Sequence, residues 1–85
     1  MGSNHREIKI SIPVEVLLSA SMTEEQITKE LREMLAFKLF SEGKLTSGNA
    51  AKLIGMSRVA FLFEASRRGI DILSYSENEL HRELA

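Results

Sequence analysis

Gly55 is the residue that most restricts what this chain can become. It stands between two short stretches of helical apolar spacing in TSGNAAKLIGMSRVAFLFEASRRG, Thr46 to Gly69. A glycine there supplies the positive φ that a sharp turn between helices demands. Ala51, four residues earlier, is small enough for a second helix to cross closely. Ala50, Ile54, Met56, Phe61 and Leu62 fall where a three-helix core needs them. The segment 43–69 is therefore expected to be a helix-turn-helix.

The same segment carries Lys44, Lys52, Arg58, Arg67 and Arg68 against the single acid Glu64, a local charge of +4 in a chain of net charge −1. Residues 1–22 are neutral, residues 23–42 sum to −2 and residues 70–85 to −3. Only the middle is attractive to an anion such as DNA phosphate. Five cations spread this thinly are equally the mark of a solvated helix face, so charge alone does not choose.

A length of 85 residues fits one domain, 1–85, small enough that a partner subunit would help its core. Cysteine is absent, which removes disulfides, thiolate metal sites and cysteine nucleophiles and fits a reducing compartment. No apolar run approaches the roughly 20 residues of a membrane span, and no signal-peptide pattern precedes the first charges. The expectation is a cytoplasmic protein. Residues 1–5 read as a disordered tail or cloning scar, and Arg6 breaks the myristoylation pattern.

From Arg6 to Ile12 the chain alternates, with Ile8, Ile10 and Ile12 on one face and Glu7, Lys9 and Ser11 on the other. This predicts a half-buried strand. Pro13 suits the first position of a helix, so one or two turns are expected to about Ser19, burying Val14, Val16, Leu17 or Leu18. A lone strand cannot satisfy its backbone, and the other strand-like stretch is Ile70 to Ser74. Either these two pair, or the first strand pairs with its copy in a second subunit.

Thr23 and Gln26 form a capping box, Met22 and Ile27 have the spacing of a hydrophobic staple, and Glu24 and Glu25 suit the positive end of a helix dipole. A long helix is expected from Glu24 to about Glu42, stopped by Gly43. Within Met34 to Phe40 only Lys38 is polar, and a surface helix is not apolar all round. Its second half is therefore expected to be buried twice, against the helix-turn-helix and against another subunit. Residues 6–42 become the dimerisation segment, with Ile8, Ile10, Ile12, Met34, Phe37 and Phe40 at the interface. In the last segment, 70–85, Ser76 and Glu79 give a second capping box, opening a short helix with Leu80 and Leu84 on one thin stripe.

The predicted fold is thus mainly α and dimeric: strand, short helix, long helix, helix-turn-helix, short strand and terminal helix. In that order, and through the segments ISIPVEVL, LREMLAFKLFSEGKLTSGNAAKLIGMSR and RRGIDILSY, the chain resembles a small family of uncharacterised prokaryotic helix-turn-helix proteins related to VapB-type antitoxins. The resemblance covers about Ile8 to Tyr75. It implies a gene beside a PIN-domain ribonuclease, and a protein that represses its own operon and binds that toxin. The strand and first two helices also look like a shortened ribbon-helix-helix, in which a two-stranded ribbon enters the DNA major groove. Here Glu7 would face the bases, and Glu24 with Glu25 would occupy the helix start that grips phosphate. Acids there repel what the dipole attracts, so dimerisation is preferred for the N-terminal ribbon.

Two functions follow as expectations. One is a DNA-binding antitoxin and transcriptional autoregulator whose Lys44, Lys52, Ser57, Arg58, Arg67 and Arg68 meet operator DNA, mostly at phosphates. The other is a protein-interaction module that uses the helix-turn-helix for packing and binds no specific DNA. An outward Phe63 fits a protein interface or packing under a C-terminal strand. Tyr75 and Arg82 are candidate toxin contacts: a cation offered to the carboxylates of a PIN nuclease would inhibit it, although Arg82 can also pair with Glu79 or Asn78. His5 and His81 have no ligand partner at metal spacing, and no phosphate loop or nucleophile elbow is visible. No cofactor, metal, small-molecule substrate or enzyme activity is expected.

Overall fold

The computed structural model describes residues 5–72. Among them four helices follow one another: α1 (Val14–Ala20), α2 (Glu24–Ser41), α3 (Ser47–Ile54) and α4 (Arg58–Arg67). Three of their N-termini are capped by side chains. Thr23 Oγ1 accepts from the Gln26 N–H at 3.1 Å while Gln26 Oε1 accepts from the Thr23 N–H at 2.8 Å, which completes the capping box. Thr46 and Ser57 cap α3 and α4 by accepting from the N–H groups of Asn49 and Ala60. Each bond satisfies a donor that the helix itself leaves open.

All four C-termini close in one way, with a left-handed residue and a paired set of backbone bonds of the Schellman type. After α2, the Gly43 N–H donates to the Phe40 carbonyl at 3.0 Å and the Lys44 N–H to that of Leu39 at 2.8 Å. After α3 the left-handed residue is Gly55 at φ 72°, and after α4 it is Gly69. Ser21 takes this place after α1 at φ 55°, the one non-glycine with positive φ among the described residues. Its backbone also holds the pattern, with the Met22 N–H donating to the Leu17 carbonyl at 3.1 Å.

The core lies where α2, α3 and α4 meet. Ala36, Phe37 and Phe40 come from α2, Ala50 and Ala51 from α3, and Phe61 and Ala65 from α4. Phe61 stacks on Phe37 with centroids 4.7 Å apart and meets Phe40 edge-on at 5.1 Å, both favoured aromatic geometries. The alanines let the three axes approach around these rings, and half-buried Leu45, Leu53, Ile54, Leu62, Ile70 and Ile72 close the rim.

Neither predicted strand is present among the described residues. Residues 5–13 have no ladder partner, and Ile8 and Ile10 stand 84% and 65% exposed. Alternation marks a face that suits a sheet, but the described residues offer no second strand to receive it. At the other end, Ile70 belongs to the stop of α4: its N–H donates to the Ala65 carbonyl at 3.0 Å and its side chain packs on the core. A Schellman stop recruits an apolar residue just past the glycine, which reads in sequence like the start of a strand. Residues 73 and 74, and the helix predicted from Ser76, lie outside the described residues.

Two smaller expectations also change. Pro13 precedes α1 as its cap, and α1 buries none of its residues. Phe37 and Phe40, expected at a subunit interface, are buried in the chain's own core, whereas Met34 is 59% exposed.

Candidate binding surfaces

The basic segment is less basic in space than in sequence. Lys44 lies 3.4 Å from Glu42, which also holds Lys38 at 3.2 Å. Lys38 first and Lys44 second keep the Glu42 carboxyl below its ordinary range, despite a small opposing desolvation. Arg67 pairs with Glu64 at 3.0 Å, one helical turn before it. Arg68 reaches Glu64 at 3.6 Å and Glu33 of α2 at 4.0 Å, and its guanidinium lies 4.0 Å from the centroid of the Phe37 ring. Arg68 therefore fastens the end of α4 to α2 by cation–π contact and charge. Two carboxylates from outside the segment, Glu33 and Glu42, enter its field.

Arg58 and Ser47 form a second fastening. Arg58 Nε donates to Ser47 Oγ at 2.8 Å, joining the first turn of α4 to the first turn of α3. Ser47 is completely buried, and a buried hydroxyl is costly to hide without hydrogen bonds of this kind. Ser57 is occupied as the α4 cap. Lys52 differs from the other cations: it is exposed on α3 and has no carboxylate partner among the described residues.

The outer face of α4 is apolar. Val59 and Phe63, one turn apart, are 77% and 70% exposed. With Phe61 and Ala65 turned inward, helical geometry leaves this face to solvent as the spacing predicted. Tyr75 and Arg82 lie outside the described residues. Among the described residues no group of three or more histidine and carboxylate side chains is placed to hold a metal. An open hollow between the start of α2 and the end of α3 is lined by Glu24, Glu25, Thr28, Lys29, Arg32 and Ile54, two acids and two bases. No helix among the described residues is long and apolar enough to cross a membrane.

A family model described as an uncharacterised protein family, UPF0175, matches residues 1–85. The chain belongs to the UPF0175 family. A UPF0175 protein of Aeropyrum pernix is 35% identical over 83 residues, covering 98% of this chain and 88% of its own. A second UPF0175 protein of that organism is 41% identical over 58 residues, 68% of this chain and 73% of its own. One from Archaeoglobus fulgidus is 31% identical over 61 residues, 72% and 69% respectively. All three relatives are archaeal, so the family occurs in prokaryotes. No solved structure matches the chain.

Neither fastening is fully written in the sequence. The Glu64 pairs with Arg67 and Arg68 were legible as helical neighbours three and four apart. Glu33–Arg68 and Ser47–Arg58 join residues far apart in sequence, and no local spacing announces them.

Proposed function

We propose that this UPF0175 protein is a binding protein of the antitoxin kind: a homodimer that holds operator DNA on its α3–α4 pair and a PIN-domain ribonuclease on the outer face of α4 and the segment beyond Gly69. The observation that carries this reading is the arrangement of α3 and α4. The pair is fixed to α2 by an aromatic core, while Lys52, Arg58, Val59 and Phe63 all stand exposed on it. In such a pair the second helix would enter the major groove, Lys52 and Arg58 would sit at phosphates, and Val59 and Phe63 would meet thymine methyls or the protein partner.

A second reading rests on the ion pairs. Lys44, Arg67 and Arg68 already face carboxylates, and the exposed centre of α4 is apolar, which suits an interaction module that binds protein and no specific DNA. Salt separates the two. If two cations of each subunit, such as Lys52 and Arg58, neutralise phosphates, the logarithm of affinity for the protein's own promoter fragment falls with slope roughly −3 to −4 against the logarithm of salt. If all five cations of each subunit engaged, the slope would approach roughly −9. Lys52→Glu should lower DNA affinity on every sequence without touching the fold. No binding at low salt, or binding indifferent to Lys52→Glu, gives the interaction module the better claim.

A further inference from the structure

α2 has two apolar faces, and among the described residues only one of them is buried in the core. At about 100° per residue, the buried set Ala36, Phe37 and Phe40 and the exposed set Leu31, Met34 and Leu35 have centres roughly 165° apart on the cylinder. Leu31, Met34 and Leu35 are 37%, 59% and 47% exposed. Half-buried Ile27 extends their stripe toward the helix start, and Lys38 ends it. We propose that a second copy of this chain packs antiparallel along this stripe, so that α2 is at once the wall of the core and the axis of a two-fold dimer. The proposal uses the homodimer of the reading above and stands independently of its DNA and nuclease partners.

Charge chooses the occupant and its direction. The first turn of α2 holds Glu24 and Glu25, and its last turn holds Lys38. An antiparallel copy brings the acidic start of one helix toward Lys38 of the other and opposes the helix dipoles favourably, whereas a parallel copy sets acid against acid. A two-fold axis midway along the stripe places Leu31 opposite Met34 of the second copy and Ile27 opposite its Lys38. The interface is then isologous, as a closed dimer requires. The spacing of Ile27, Leu31, Met34 and Lys38, alternately four, three and four, is the seam along which paired helices interlock. Val14, Val16 and Leu18 of α1, with Ile8 and Ile10, are exposed beside it in sequence.

Sedimentation of the full chain tests this. Wild-type protein should run as a dimer at micromolar concentration. Met34→Glu should raise its dissociation constant at least about 100-fold, because the new carboxylate would be buried unpaired. Helical circular dichroism and a cooperative thermal transition should survive, since Met34 lies outside the aromatic core. A second variant decides the direction even if the first fails to fold. The chain has no cysteine, and Ile27→Cys with Lys38→Cys puts two thiols about 16 Å apart on one helix, too far to bridge within it. Mild oxidation should link two chains in the double variant and leave either single variant unlinked. A wild-type monomer, a dimer indifferent to Met34→Glu, or a double variant that does not cross-link would each overturn the proposal. The last two would leave the homodimer itself standing, and none bears on DNA binding, which the salt titration reads separately.

Discussion

From Phe37 to Ile70 most large apolar side chains find a neighbour within the chain, whereas from Ile8 to Leu18 five of seven are exposed and none is fully buried. Both regions are rich in aliphatic residues, so hydrophobicity does not separate them. What separates them is shape. The α2–α3–α4 region supplies three surfaces that close on each other, with alanines for approach and phenylalanines to fill the space left. The N-terminal region supplies one extended arm and a helix of two turns, and neither can enclose anything. Burial is a property of the arrangement before it is one of the residue.

The largest effect should come from the centre of the closed region. Phe61 is completely buried and touches both other core rings, so Phe61→Ala should cost about 3–5 kcal/mol, most of the stability of a domain this small. Denaturant unfolding would register a lost or drastically lowered midpoint. A near-normal midpoint would mean that the N-terminal region contributes more than its exposure suggests.

A smaller effect is expected where the closed region is fastened. Arg68→Ala removes a cation–π contact and two carboxylate partners, yet the Arg68 side chain is 42% exposed. Solvent screening therefore holds the loss to about 1 kcal/mol. Arg68→Lys should restore only part of it, because an ammonium has neither the planar face nor the fork. Equal stability of the two variants would assign the effect to charge alone.

The smallest effect marks the other side of the comparison. Leu18 is 72% exposed, and Leu18→Ser should change the denaturant midpoint of dilute, dissociated protein by no more than about 0.5 kcal/mol. A larger loss would show that α1 is packed in the isolated chain. The same substitution at concentrations that favour association tests whether α1 joins the interface.

The helices were largely legible because their ends are written locally. The Thr23–Gln26 box, the N-cap side chains Thr46 and Ser57, and the glycines at positions 43, 55 and 69 each fix a boundary through atoms a few residues apart. Long-range meaning was not legible. Ile8, Ile10 and Ile12 carry the alternation of a strand, but pairing depends on a neighbour that alternation cannot name. Met34 to Phe40 correctly indicated a helix apolar on all sides; which side faces inward depended on where α4 lands, and placing Phe37 and Phe40 at a subunit interface reversed it. The basic segment misled for a related reason. Counting its own residues omits Glu42, one position before it, and Glu33, which only folding brings to Arg68.

The repeated helix stop has a consequence for how the chain finds its structure. Each of the four described helices ends through backbone bonds made within six residues, before any tertiary contact is needed to set its length. The three helices that form the core are also consecutive, so the search for the native state joins pieces already cut to size across short loops. Topologies of this kind, rich in local contacts, belong to the fast end of folding rates. The protein would reach its folded core while still a single chain, and association would come afterwards, between finished surfaces.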